Sequence, residues 1–464
     1  AFGGGIRVGH PQLITQQGNT DIYTDAENDF IRVHHNHIAR NGGRGGAGGG
    51  LSLHTGADEY AVEQNWICGN FSSGSGAGIG HLGLSDNGMI EDNTILFNES
   101  FAQAGPTSGG GIFIAGQTGL VPDNAGLLLS PGSGSVTVDS NVIRGNLAGA
   151  GDGGGIQLLS VNGEDVTGNA NSWHSVDLVN NMINNNVAGL AGGGIAIQDA
   201  VLVSIRNNTV AHNESTATAA LAFSPGTFNV SNATPAGIVA RTHSIDFGIA
   251  LGETNVAESF SAPVISDSII EHNRSFFWLN YDDTTTPAIE TGLFPANCTT
   301  APTGCDLTNV EGYTADLAVM DGPFTVADPV AVGTLDPQFS LLTNTVENQV
   351  LYIGINGNVT GDPGFVNGYF NGALNNEDIT EFTTLSTAGA FDEGGNFIQV
   401  AFRPLSLIQT GTVDPLLNPA GTLLDYHVGA GAAIDAGDPA NTLGVDIDDD
   451  LRPQGGGFDI GADE

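Results

Sequence analysis

Four side chains at equivalent points of a recurring pattern, His34, Glu63, Glu91 and Asp139, have the types and spacing that could do chemistry. Each lies two residues before an asparagine that opens an Asn-x4-Asn element. If successive copies stack in register, the four make an outward ladder of three carboxylates capped by a histidine. Neighbouring carboxylates would then lie near the ~5 Å separation of retaining glycosidases, and alternate ones near the wider inverting separation. Stacked like charges raise one pKa of a pair, which suits a general acid. Glu63, Glu91 and Asp139 are therefore the candidate catalytic residues. A solvated acidic face and a weak calcium site compete for the same column, and the insertion between Asn98 and Asn146 could spoil its alignment.

Two further groups offer ligand atoms. Asp446, Asp448 and Asp450, within Asp446-Ile447-Asp448-Asp449-Asp450, carry the hard oxygens that calcium needs, without the glycine and bidentate glutamate of an EF-hand loop. A turn closing the last coil is the alternative there. His34, His35 and His37, with His54 and His81, could hold a transition metal, although surface histidines are the favoured explanation. The sequence specifies no cofactor outright and allows calcium. Cys298 and Cys305 flank a short Pro/Thr/Gly loop and could close a small disulfide, leaving Cys68 unpaired.

These residues depend on the repeat for their positions. The Asn-x4-Asn element recurs as Asn36 and Asn41, Asn65 and Asn70, Asn93 and Asn98, Asn141 and Asn146, Asn181 and Asn186, and Asn208 and Asn213, then as Ser268 and Asn273. The second members are 29, 28, 48, 40, 27 and 60 residues apart, so the shortest spacings define a basic coil and the longer ones carry insertions. Two residues after the first Asn stand Ile38, Ile67, Ile95, Ile143, Ile183, Val210 and Ile270; β-branched residues also recur three before it. Such columns read as an interior stack of strands. Glycine clusters such as Gly153-Gly154-Gly155 supply corners. An Asn at one turn of every coil can pass an amide hydrogen bond to its neighbours and adopt the left-handed conformation of a tight turn. The sequon asparagines Asn70, Asn98, Asn213 and Asn273 are then committed to the ladder and make poor glycosylation sites.

The pattern predicts an all-β, right-handed parallel β-helix over residues 1–275, with insertions near 116–135, 160–175 and 224–263. An irregular β continuation over 276–424 and a capping segment over 425–464 follow. Residues 1–8 read as the second half of a repeat, which invites a covering partner at the first coil.

Formal charge is −41, from 51 acids against 10 arginines and no lysine. Such a surface repels phosphate backbones and anionic lipids, which argues against nucleic acid and membrane surfaces. It permits divalent cations, neutral glycans and basic proteins. No apolar run is long enough to span a membrane as a helix.

The closing stretch runs Ala433-Ile434-Asp435-Ala436-Gly437-Asp438-Pro439, then Asp446-Ile447-Asp448, then Arg452-Pro453 through Asp459-Ile460-Gly461-Ala462 to Glu464. It resembles the final segment of bacterial secreted right-handed β-helix proteins of the pectin-lyase-like, choice-of-anchor Q kind. That resemblance implies a secreted or cell-surface location and no single activity, because the fold hosts lyases, hydrolases, adhesins and structural proteins. Lyases of this fold use Lys or Arg as base; with no lysine, Arg144, Arg206 and Arg241 remain. The expected function is an extracellular structural or adhesive module binding polysaccharide or a second surface protein. A polysaccharide hydrolase or lyase is the alternative.

Overall fold

The computed structural model describes residues 4–10, 14–17, 20–102, 105–123, 125–227, 229–282, 289–296, 313–320, 333–345, 352–368, 390–391, 397–398 and 425–464. Cys298 and Cys305 lie outside them.

Four 8-stranded sheets run the length of the stack. Each coil begins in sheet 2 (Arg32–His34 in the first coil), turns into sheet 3 (His37–Ala39), then sheet 4 (Gly42–Gly43), and crosses a glycine corner into sheet 1 (Leu51–His54). Strands pair in parallel with the equivalent strand one coil away, residue on residue: Val33 faces Val62, and Ile38 faces Ile67. The chain is thus a parallel β-helix. Its interior is the aliphatic stack, with Val62, Ile90, Val138, Ile67, Ile95 and Ile143 all fully buried. Trimming one such isoleucine to alanine costs about 2–5 kcal/mol.

The asparagines stand where sheets 2, 3 and 4 meet. Along the first corner, Asn36, Asn65, Asn93, Asn141 and Asn181 each donate through Nδ2 to the next Oδ1 at 3.0 Å, ending on Asn208. Along the second, Asn41, Asn70, Asn98, Asn146, Asn186 and Asn213 do the same at 2.9–3.0 Å, ending on Asn273. From Asn65 and Asn70 onward, each Oδ1 also accepts the backbone N–H of the preceding ladder residue, as Asn146 does from Asn98 at 3.0 Å. The sequon asparagines Asn70, Asn98, Asn213 and Asn273 are buried within this network.

One expectation about the ladder is corrected. The left-handed residue of each turn is the one before the ladder Asn, not the Asn itself. His35, Gln64, Asp92, Ser140, Asn180, Asn207 and Asp267 at the first corner have φ between 49 and 55°. Arg40, Gly69, Phe97, Gly145, Asn185, His212 and His272 at the second lie between 49 and 65°. Asn70 shows the difference. Gly69, with φ 61°, makes its turn, whereas Asn70 itself does not adopt positive φ. Asn70 Nδ2 instead donates to the Ile38 carbonyl at 2.8 Å and to Asn98 Oδ1 at 2.9 Å, on opposite sides along the stack. Making the turn one residue early leaves the amide pointing along the coil axis, where both neighbours are in reach. Glycine is required at the other corner: Gly153 has φ 69°, and a Cβ on Gly154 would meet the Gly193 carbonyl oxygen at 2.5 Å.

The boundaries also shift. The coils do not lose register at residue 275: Leu317–Met320, Pro337–Gln338 and Leu341–Leu342 add a further strand to sheets 1, 2 and 3. Asp316 and Ser340 occupy the ladder positions there, accepting from Asn273 at 3.0 Å and from the Ser268 N–H at 3.2 Å. The expected insertion over 224–263 is two loops, because Ile238–Arg241 is a strand of sheet 1. The loops leaving sheet 1 at 116–135, 160–175 and 242–263 share one apolar cluster, with Leu129, Val166 and Phe247 at its centre.

Residues 425–464 cover a flank of the middle coils. Tyr426 Oη donates to Asn185 Oδ1 at 2.8 Å, Asn441 Nδ2 to Asn207 Oδ1 at 2.9 Å, and the Asp438 N–H to Asp267 Oδ1 at 2.6 Å. Arg144, buried beneath this segment with its guanidinium 5.3 Å from the Tyr426 ring centre, has its pKa lowered by burial.

Candidate functional site

On the outer face of sheet 1 a groove of about 450 Å³ runs across several coils. Strand alternation builds its floor. Ile156 and Leu158 point inward, so Gln157 and Leu159 point outward. Parallel register then aligns Phe113 with Gln157, Leu159 with Gln198, and Arg241 with Met320. The wall is the loop between sheets 4 and 1, which contributes Leu221, Asn232 and Thr234.

Eight of the fifteen residues lining the groove are polar, and each is engaged in at least one hydrogen bond. Arg241 grips Asp152 through two parallel bonds, Nε to Oδ2 and Nη2 to Oδ1, each 2.8 Å. Such bidentate pairs are strong and directional. Asp152 Oδ1 additionally accepts the Ala191 N–H at 3.0 Å, so this carboxylate is held rather than free to act as a base. Gln157 donates through Nε2 to the Leu158 carbonyl at 2.9 Å, whereas its buried Oε1 has no hydrogen-bond partner. A buried acceptor without a donor is uncommon. Apolar surface from Phe113, Leu159 and Met320 lies beside these groups, the mixture typical of sites for small organic ligands. Of the three arginines considered as bases, only Arg241 lines this groove.

The carboxylate column is assembled as its spacing implies. His34 pairs with Glu63, Glu63 with Glu91, and Glu91 with Asp139, all in sheet 2. The insertion after Asn98 leaves at a different corner and does not disturb the register. Above Asp139 the column ends at Val179. Arg32 pairs with Glu63 at 3.1 Å from an exposed position. Burial raises the pKa of Glu91, with Asp92, Asp139, Glu63 and Asp449 adding to the rise. Asp139 is also raised by burial, opposed by its hydrogen bond from Ser140. The repeat spacing does not indicate Asp92 and Asp449 as members: one is a turn residue, and the other arrives with the C-terminal segment. The arrangement can hold a proton on Glu91 or Asp139 more tightly than an isolated carboxylate would.

Asp446, Asp448 and Asp450 do not form one oxygen cage. Asp446 Oδ1 accepts the N–H groups of Asp448 and Asp450, both at 2.9 Å, and Oδ2 accepts that of Glu464 at 3.2 Å. This is turn chemistry, and Asp446 is buried by it. Asp448 faces His427 Nε2 at 3.1 Å instead, and donor atoms of His427, Asp448 and Asp463 lie within 4.8 Å of one another.

His34, His35, His37, His54 and His81 are likewise dispersed. His34 and His35 touch through Nδ1 at 3.0 Å, and His37 lies in sheet 3 opposite Trp66. His81 points into the interior, bonded to Tyr60 Oη at 2.8 Å and to the Ser133 carbonyl at 2.9 Å, and burial lowers its pKa to about 4. His54 is also lowered to about 4, first by burial and then by His81. Strand alternation separates them, since adjacent residues face opposite sides of a sheet.

No protein-family model, curated protein or solved structure matches this chain.

Proposed function

We propose that this chain is an extracellular or cell-surface β-helix module that binds a neutral polysaccharide in the groove over Gln157. The observation that carries the reading is the unpartnered Gln157 Oε1 in a groove that also holds the Arg241–Asp152 pair and the apolar strip of Phe113, Leu159 and Met320. Oε1 is screened from the groove in this rotamer, so a sugar hydroxyl donates to it once the Gln157 amide turns outward, while ring C–H faces lie on apolar side chains. A neutral glycan is favoured over a uronan because the net charge is −41 and the groove's arginine is already matched by Asp152. The bacterial, secreted setting comes from the resemblance of the closing segment. Ile6–Val8, Arg32–His34, His37–Ala39 and Gly42–Gly43 are the end strands of the four sheets, where a second surface protein could add.

Electrophoretic retardation in gels containing neutral glycans or polygalacturonate tests this reading. Retardation by a neutral glycan is expected, weakened roughly tenfold or more by Gln157→Leu, which removes the acceptor at similar volume. Retardation by the uronan alone, or unchanged binding by Gln157→Leu, would refute it.

A second reading, a glycoside hydrolase acting through Glu63, Glu91 and Asp139, is favoured by the raised pKa of Glu91 and Asp139. It requires reducing ends to be released from some glycan and the release to be abolished by Glu91→Gln.

A further inference from the structure

We propose that His212, Glu271 and His272 form a binding site for a first-row transition-metal dication of the zinc class, at the seam between the coils and the C-terminal segment. The three residues come from one corner of successive coils. His212 precedes Asn213 and His272 precedes Asn273, and both are the left-handed residue of their turn. Glu271 closes the strand Ile269–Glu271, and its carbonyl accepts the His212 N–H at 3.2 Å. One donor atom from each of the three residues lies within 4.8 Å of the other two. His212 Nε2 is 3.8 Å from Glu271 Oε1, and His272 Nδ1 is 2.5 Å from Glu271 Oε2.

A second, independent arrangement presents His212 as a ligand. The Tyr426 hydroxyl donates its one hydrogen to Asn185 Oδ1 at 2.8 Å. At its contact with His212 Nδ1, also 2.8 Å, the hydroxyl oxygen must therefore accept, which places the imidazole proton on Nδ1. In the neutral ring Nε2 then carries the lone pair, on the side that faces Glu271. Metal-ligating histidines are oriented in this way, by donating the other ring N–H to a fixed acceptor. Tyr426 is fully buried and Phe365 stands edge-on to the His212 ring at 6.2 Å, so the positioning groups are rigid and the surroundings largely apolar.

Two imidazoles and one carboxylate suit zinc or ferrous iron, and leave an open position for water or ligand. Calcium and magnesium prefer all-oxygen shells and are disfavoured here. Metal–ligand bonds of about 2.0–2.1 Å place tetrahedral donors about 3.3 Å apart. The 3.8 Å contact has to close and the 2.5 Å contact to open, by sub-ångström side-chain rotations. The occupied site would tie two successive coils together beneath Tyr426.

The test uses the full chain after dialysis against EDTA, titrated calorimetrically with ZnCl2 and, separately, with CoCl2 followed by visible absorption. Binding at micromolar Zn2+ or below is expected, with cobalt bands of a four- or five-coordinate nitrogen–oxygen site. His212→Gln and His272→Gln should weaken this binding by roughly 100-fold or more. Tyr426→Phe, which leaves the ligands in place and removes only the positioning hydroxyl, should weaken it by about 10–100-fold. His427→Gln, in the separate group with Asp448 and Asp463, should leave it unchanged. Absence of Zn2+ binding at millimolar concentration, a six-coordinate aquo-like cobalt spectrum, or wild-type affinity in folded His212→Gln and Tyr426→Phe would each overturn the proposal.

Discussion

Replacing Asn146 by alanine isolates the contribution of one inner rung of the amide ladder. Its Oδ1 accepts the Asn98 N–H at 3.0 Å and Asn98 Nδ2 at 2.9 Å. Its Nδ2 donates to the Ile95 carbonyl at 3.0 Å and to Asn186 Oδ1 at 2.9 Å. After truncation, Asn98 Nδ2 keeps the Ile67 carbonyl and Asn186 Oδ1 keeps the Asn146 N–H. The Asn98 N–H loses its acceptor in a fully buried place. A stripped buried donor costs about 1–3 kcal/mol, and each of the other lost bonds about 0.5–1.5 kcal/mol net, so a total of about 4 kcal/mol is expected. Asn36→Ala provides the comparison: Asn36 makes the same Nδ2 contact to Asn65 from an exposed end position, and its loss should cost under about 1 kcal/mol. Because solenoids open locally, amide hydrogen exchange should be read on the strands Thr94–Leu96 and Leu147–Ala148 together with urea unfolding. Asn146→Ala should accelerate exchange there by about a thousandfold, as about 4 kcal/mol implies. If the two variants fell within about 1 kcal/mol of each other, the buried amide ladder would not be a main source of the coils' stability.

Burial pushes the Glu99 carboxyl from 4.5 up to about 7, so the folded chain holds a proton that the unfolded chain releases. Stability from this group is greatest below about pH 4.5 and declines as pH rises through about 7. Glu99→Gln should therefore exceed wild type by up to roughly 3 kcal/mol at about pH 8 and match it near about pH 4; urea midpoints across this range check it, and a gap independent of pH would contradict it. Cys68 is fully buried between Ala39 and Leu96 in sheet 3, so a maleimide should modify it only after unfolding; peptide mapping that finds it labelled in native buffer would contradict that.

Much of the architecture was legible because β-helix information is local and repeated. A ladder Asn, an inward Ile and an outward carboxylate each recur at one offset, and parallel pairing preserves that offset whatever is inserted elsewhere. The column of Glu63, Glu91 and Asp139 therefore came out in register. The last coil is hidden because Asp316 and Ser340 stand where the repeat has asparagine. The left-handed residue escaped because its identity ranges from His to Phe to Gly, so only the recurring Asn after it, such as Asn70 after Gly69, was conspicuous. The groove was illegible for a different reason. Arg241 and Asp152 are 89 residues apart, and neither belongs to the repeat signature. The His212–Glu271–His272 group combines turn residues separated by a long loop with a tyrosine from the C-terminal segment. Pairing across such distances depends on where loops return, which composition and period do not encode.

The returning C-terminal segment alters how such a stack can be assembled. An array whose coils touch only their neighbours can form progressively from any point, since its contacts are short in sequence. Here Tyr426 meets Asn185 across 241 residues, Ala462 meets Thr209 across 253, and Arg452 meets Asn180 across 272. The coils from Asn180 to Asp267 must exist before this strap has a surface to close upon, yet they complete their outer flank only when it arrives. Contacts of such separation form slowly, so closure of the segment is expected to follow formation of those coils. A repeat removed from the middle coils would take with it part of the surface on which this segment packs.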